Sequence, residues 1–335
     1  VHPLPRDDWW DAIMNLKKET DILQTAAAAL VDAALDAGAT AAEVCGTYAE
    51  RTKISLEKQD FHLAASDEGF SLGLRVLRGK RQGFASCNAT DPKDLREVAG
   101  RAVEIAGFSP DNPNWTIQAS ALVPKEAPAS LWDERLATLS LQTQKDWALL
   151  MAKEAMQDPR FRLNEGSVDV SSGLSLVLNS LGTHQVQAET AVGWSLMGMA
   201  VEGSNITSFD YFGQMSRKAE GVADRIQSSA RQFRDKLIEN LNQKTAQSYQ
   251  GLVLFTPRAV IDIFLSGLSY HFNGRQLAEG TTRWKREDLG RPVVSALVNV
   301  SDNPWLTDRA GCQLFDREGT PTRHRELLAH GELRN

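Results

Sequence analysis

One order of signals occurs twice in this chain, and it constrains the fold more than any single motif does. A helical pattern, a set of alternating segments and a second helical pattern succeed one another over Leu16–Ala106, and again over Ser140–Asn240. In the first pass Ile22, Ala26, Leu30 and Ala33 recur at helical spacing from about Leu16 to Ala37, and Gly38 stands where a helix end takes glycine. Glu43 to Tyr48 reads as a short strand, and Lys53 to Lys58 as another, alternating Ile54 and Leu56 with Ser55 and Glu57. Phe70 to Leu77 places Phe70, Leu72, Leu74 and Val76 on one face, and Arg78-Gly79-Lys80 is a tight turn into Gln82 to Cys87. Asp91-Pro92 then opens a helix: the aspartate can accept from free N–H groups, and proline suits the first helical position.

The second pass begins with a helix from about Ser140 to Gln157. Leu174, Leu176 and Leu178 alternate with their neighbours, Gln185 to Val201 reads as one or two long strands, and Ile206 to Phe212 as a further one. Met215, Ala219, Val222, Ile226, Ala230, Phe233 and Leu237 then step along a long helix. Asp67-Glu68-Gly69 and Ala188-Glu189-Thr190 read as corresponding turns. Hairpin-length connections favour an antiparallel sheet with helices on one face. The expected class is therefore α+β, built from duplicated helix–antiparallel strands–helix units.

Between the two passes, Ser109 to Pro128 is rich in proline and alanine and reads as a linker. The expected domains are 1–125, 126–245 and 246–335. The third is expected to be β-rich and to look incomplete. Its signals are a strand at Gly251–Phe255, an apolar helix Val260–Leu268 opened by Pro257, and a basic loop Asn273–Arg291. A strand at Pro292–Val300, a turn at Phe315–Gly319 and a last element, Arg325–Leu333, complete it.

A net charge of -6 argues against general nucleic-acid binding, which needs a basic surface to displace counterions from phosphate. Three scattered cysteines, Cys45, Cys87 and Cys312, form neither a disulfide framework nor a zinc knuckle. No apolar stretch approaches membrane-spanning length, and Val1 to Asp11 lacks the basic start and apolar centre of an export signal. A cytoplasmic location is expected.

Five segments carry a family resemblance: Ala42-Glu43-Val44, Gly73-Leu74-Arg75-Val76 with Gly79 to Ser86, Asn164-Glu165-Gly166, Phe315 to Gly319, and Gly331-Glu332-Leu333. In this order and spacing the chain resembles the TldD/PmbA family from about Leu16 onward. The resemblance implies two kinds of chain. TldD-type chains carry His-Glu-x-x-x-His on a helix after an apolar strand, which binds zinc and supports peptide hydrolysis. PmbA-type chains, also called TldE, lack it and pair with them. Aligned on Pro257, the motif positions here are Asp262, Ile263 and Gly267, so the resemblance is to the PmbA type. It implies no metal and no catalytic residue in this chain, with zinc in a TldD-type partner. Heterodimer and homodimer both stay open, with peptide as substrate and no membrane partner. A second reading is a non-proteolytic binding or regulatory protein, a modulator of DNA gyrase or of a peptide toxin or precursor. Family chains continue beyond the segment that ends at Asn335, so the third domain is expected to be cut short.

Four cations of the basic loop, Arg275, Arg283, Lys285 and Arg286, are candidates for peptide contact, since the resemblance places this region near the peptide-processing cavity. Asp316 and Glu318 with Gly319 read as a fixed turn, the glycine supplying a positive φ. Arg75 is expected to pair with an acid such as Glu43. His324 and His330, six apart, point to different sides of a helix, and His271 is a lone histidine. Neither a Gly-x-Ser-x-Gly segment nor a phosphate-binding glycine loop occurs.

Overall fold

The computed structural model describes residues 16–57, 60–128, 131–245, 247–309 and 311–334, so the reading of Val1 to Asp11 lies outside the described residues. Two units emerge: residues 1–243 with 305–322, and residues 244–304 with 323–335.

The first unit is built on one antiparallel sheet. Helix α1 (Lys17–Asp36) leads into β1 (Ala41–Glu57), β2 (Asp60–Arg78), β3 (Arg81–Cys87) and α2 (Pro92–Phe108). The second pass runs through a short α3 (Glu134–Ala137), α4 (Leu141–Ala155), β4 (Phe161–Asn179), β5 (His184–Glu202), β6 (Asn205–Ile206), β7 (Asp210–Ser216) and α5 (Val222–Glu239). The order is β3-β2-β1-β4-β5, with β6 and β7 both on β5. The repeats join through β1 and β4, which pair from Glu43↔Asn179 to Glu57↔Glu165. Around Glu50↔Ser172 the two passes are related by an approximate twofold.

β1, β2, β4 and β5 are 17 to 19 residues long, against an ordinary strand of about 5–6 residues. The strand signal at Glu43–Tyr48 and the one from Lys53, described as far as Glu57, thus belong to one strand, and Asp67-Glu68-Gly69 and Ala188-Glu189-Thr190 lie inside β2 and β5 rather than in turns. Paired neighbours hold these polar stretches extended: Gly69 lies opposite Ala49, and Thr190 opposite Ser172. The turn at Gly79 is real, with φ 62° at the first of two turn residues, as a type II′ hairpin requires.

Alternation assigns the sheet's faces. Val44, Leu72, Leu74, Leu174 and Leu176 pack under α1 and α2, and Ile54, Val168, Val192, Trp194 and Leu196 under α4 and α5. Asp91 caps α2 by accepting from the N–H groups of Lys93 and Asp94. On the opposite face Val177 and Cys45 meet Ala127, Leu131, Leu314 and Phe315, so parts of the linker and of segment 305–322 cover one end of the sheet.

Gln144 ties α4 to the sheet. Its Nε2 donates to the carbonyls of Thr52 (2.9 Å) and Val168 (2.8 Å), and its Oε1 accepts from the Thr52 hydroxyl (2.9 Å). Gln144→Leu strips partners from a half-buried hydroxyl and two carbonyls, an expected loss of about 2 kcal/mol. Urea denaturation measures it, and an unchanged midpoint would discount the tie.

The second unit has a helical run: α6 (Pro257–Val260), a π turn (Ile261–Leu265) and α7 (Ser266–His271), followed by α8 (Gly274–Ala278). A small antiparallel sheet has the order β8 (Val300–Asp302), β9 (Arg325–Ala329) and β10 (Glu332–Leu333). Gly251–Phe255 is not a strand, and of Pro292–Val300 only Val300 joins β8. In the first, no pairing partner is present among the described residues. In the second, Val298 N–H closes a turn on the Ser295 carbonyl, and Pro292 makes a single bridge to Glu332.

Candidate functional site

In the second unit, Thr256 caps the helical run by accepting from Ala259 N–H, with Pro257 in the first turn. On a regular α-helix, residues five apart are about 140° apart around the axis. The π turn at Ile261–Leu265 widens the helix between Asp262 and Gly267 and brings such positions closer to one side. The side chains there are an aspartate, a hydrocarbon and none. Asp262 is exposed and paired with Arg258 at 2.8 Å, one turn away; Ile263 is exposed; Gly267 has open space around it. Zinc at a hydrolytic site needs imidazoles and a free carboxylate. This donor set does not fit that ion. Among the described residues no group of three or more His, Cys, Asp and Glu is placed to hold a metal.

The basic loop folds into a cavity of 710 Å³, whose lining includes Leu277, Trp284, Lys285, Arg286, Leu289 and Arg334. Arg275 and Arg283 are not in this lining. Arg275 pairs with Glu279 at 2.8 Å, which raises its pKa, and the Arg283 N–H donates to His271 Nδ1. Buried Trp284 packs at tilted angles against His271 and Phe272, ring centres 5.3 Å apart, and anchors the loop. Leu277, Trp284 and Leu289 beside Lys285 and Arg286 suit a chain bearing apolar side chains and carboxylate or carbonyl groups; Glu287 shares the lining, and Arg334 is paired with Glu332 at 3.0 Å. Arg334 was beyond the reach of sequence spacing. It arrives through the β9–β10 hairpin, whose two turn residues, His330 (φ 50°) and Gly331 (φ 76°), match a type I′ turn. The Gly290 N–H then meets the Leu333 carbonyl at 2.8 Å. Trp284 between Arg283 and Lys285 was a visible signal, an aromatic set among cations.

The first unit holds a second polar cluster. Arg75 grips Glu43 at 2.8 Å and reaches Glu318 at 3.1 Å, so its pairing with Glu43 is as the sequence suggested. Burial raises the Glu43 pKa, against the opposing pull of Arg75. Beside it, burial and then Glu43 push the Cys45 thiol up to about 11, and the thiol donates to the Arg317 carbonyl at 2.9 Å. A protonated thiol is a poor nucleophile. Asp316 Oδ1 accepts from the N–H groups of Glu318 and Thr320, both at 2.9 Å. Gly319 has φ 72°, and a Cβ there would stand 2.5 Å from the Thr183 methyl. The chemistry of this cluster is attachment: it fastens segment 305–322 to the sheet.

Family comparisons agree with this architecture. Residues 42–106 match the model described as PmbA/TldA metallopeptidase domain 1, and residues 248–335 the one described as PmbA/TldA metallopeptidase C-terminal domain. These matches support membership of the PmbA/TldD family. Among curated proteins it is similar to a metalloprotease PmbA homolog of Haemophilus influenzae, 24% identical over 334 residues, covering 95% of this chain and 70% of that protein. Among solved structures it is similar to TldE from Thermococcus kodakarensis (TM-score 0.74, 18% identity, 92% of this chain and 69% of that one). A Bacteroides thetaiotaomicron protein described as a candidate modulator of DNA gyrase aligns with TM-score 0.79 and 19% identity, over 95% of this chain and 71% of its own. These likenesses define an α+β fold. No helix among the described residues is long and apolar enough to cross a membrane.

Proposed function

We propose that this chain is the non-catalytic, PmbA/TldE-like subunit of a cytoplasmic metalloprotease complex that processes or degrades unfolded or short peptides. One observation carries the reading. On the π-turned helix, the motif positions hold an aspartate engaged by Arg258, an isoleucine and a glycine. None of these supplies an imidazole or a free base. A TldD-type partner would bring zinc, base and hydrolysis, and a homodimer is the other assembly to be distinguished. This chain would contribute peptide contacts, with Lys285, Arg286 and Arg334 facing carbonyl or carboxylate groups and Leu277 and Leu289 facing side chains. Neither nucleic acid nor membrane is part of the reading. The Bacteroides protein's description supports a second one, a binding protein that modulates its target without cleavage.

The test mixes purified chain with a TldD-type protein from the same cell and follows an unfolded peptide by mass spectrometry. Cleavage is expected from the mixture and from neither component alone at comparable rate. Stoichiometric, tightly held zinc in this chain by itself would sink the non-catalytic reading. Stable binding of gyrase or a peptide precursor, with no cleavage in any mixture, would favour the second one.

A further inference from the structure

Strand β2 is paired on both sides over only part of its length. Leu72 to Arg78 lies between β1 and β3, whereas Asp60 to Ser71 pairs with β1 alone among the described residues. That leaves a bare strand edge of roughly 40 Å, with a row of outward N–H and C=O groups. Natural sheets usually protect such an edge with lysine, proline, a bulge or a covering segment. The stretch Asp-Phe-His-Leu-Ala-Ala-Ser-Asp-Glu-Gly-Phe-Ser contains no proline, lysine or arginine. The register shift in the β1–β2 pair falls at its far end, beside Ser55 and Leu56.

Its side chains carry a second pattern. Phe61 and Leu63 are 41% and 47% exposed; the register shift pairs them with Leu56 and Ser55 and so sets them on opposite faces, and the Lys145 Nζ lies 4.6 Å over the Phe61 ring. Asp67 and Glu68 are exposed on opposite faces, Asp60 is exposed too, and none of the three is in an ion pair among the described residues. An edge that combines free backbone groups, apolar side chains and unneutralised carboxylates matches one kind of occupant.

We propose that the Asp60–Ser71 edge of β2 takes up an extended basic peptide as an added antiparallel strand. Backbone groups of the peptide complete the ladder, apolar residues lie beside Leu63 on one face and Phe61 on the other, and lysine or arginine lies beside Asp67 and Glu68. The proposal rests on the peptide-handling reading above and adds to it a substrate preference, basic and extended, at a place removed in sequence from the motif helix. A charged rim also accelerates encounter with an oppositely charged chain.

The experiment uses the full chain and a fluorescent eight-residue peptide of alternating valine and lysine. Anisotropy measures binding, and hydrogen exchange locates it. Slowed exchange in the amides of 60–71 is expected. So are a loss of affinity of about tenfold or more when alternate peptide nitrogens are methylated, and a similar loss in the D67K/E68K variant. The methylated peptide needs no altered protein, so the test does not depend on that variant folding. Absence of binding, binding with protection elsewhere, or equal affinity for the methylated peptide overturns the proposal. The cleavage assay is read separately. Cleavage that persists without binding at this edge removes the edge proposal alone, and binding here without cleavage in any mixture removes the protease reading alone.

Discussion

Gly83→Ala is expected to destabilise the first unit by about 3 kcal/mol, the upper end of the usual range for forcing an extra carbon into a packed site. A Cβ on Gly83 in β3 would stand 2.0 Å from the Ala102 carbonyl oxygen and 2.8 Å from the Ala106 nitrogen. Both obstacles belong to the α2 backbone, so no rotamer change relieves them. Strand and helix must part, and the contacts of Leu95, Val98 and Ala99 with the sheet loosen together. Gly73→Ala is the control, because a Cβ there meets only the Cys45 carbonyl at 3.8 Å, an ordinary contact. Urea midpoints of the two variants should differ widely. Equal midpoints would show that α2 does not hold the approach seen here.

Arg75→Ala should rank next, at about 3 kcal/mol, because it strands a carboxylate whose side chain is 4% exposed. The pH dependence separates this cause from lost packing. Burial already raises the Glu43 pKa, and Arg75 is the leading group that lowers it, so removing Arg75 raises it further. A carboxyl with a raised folded pKa favours the folded state while protonated. Its stabilisation is full below the unfolded value, about 4.3, and is lost as pH rises through the folded value. The variant's deficit relative to the parent should thus be smallest near pH 4 and grow toward pH 7. Adding Glu43→Gln should recover part of it at neutral pH. A deficit that stays flat between those pH values would assign the loss to packing around Arg75 instead.

Helix ends and hairpin turns were legible in the sequence because local chemistry sets them. Asp91 and Pro92 start α2, Gly38 (φ 102°) ends α1, and Gly79 turns β2 into β3. The length of the strands was not legible. Ala49-Glu50-Arg51 in β1 and Ser171-Ser172-Gly173 in β4 have little strand character alone, and they extend because each lies opposite the other across the join of the repeats. Small residues are required there: a Cβ on Gly173 would be 2.2 Å from the Tyr48 carbonyl oxygen. The long helix read from Met215 begins at Val222, since Met215, in β7, pairs with Gly193 of β5, and Gly221 (φ 66°) resets the chain. At the candidate site, the cationic loop was visible as a cluster of residues. The cavity was not, because a hairpin far along the chain brings Arg334 to Lys285 and Arg286.

Segment Trp305–Thr322 belongs to the first unit, although about 60 residues assigned to the second precede it in the chain. Synthesis therefore delivers it late. At about 5–20 residues per second, β1, β4 and β5 wait roughly 3–12 s after Gln243 is made before this segment begins to emerge. For that time Val177 and Cys45 are covered only in part, by Ala127 and Leu131, and the Gln187 side chain still lacks the Leu314 N–H from which it later accepts. The sheet's last face is closed by timing as well as by affinity, and a nascent chain stalled before Trp305 would present that surface to chaperones.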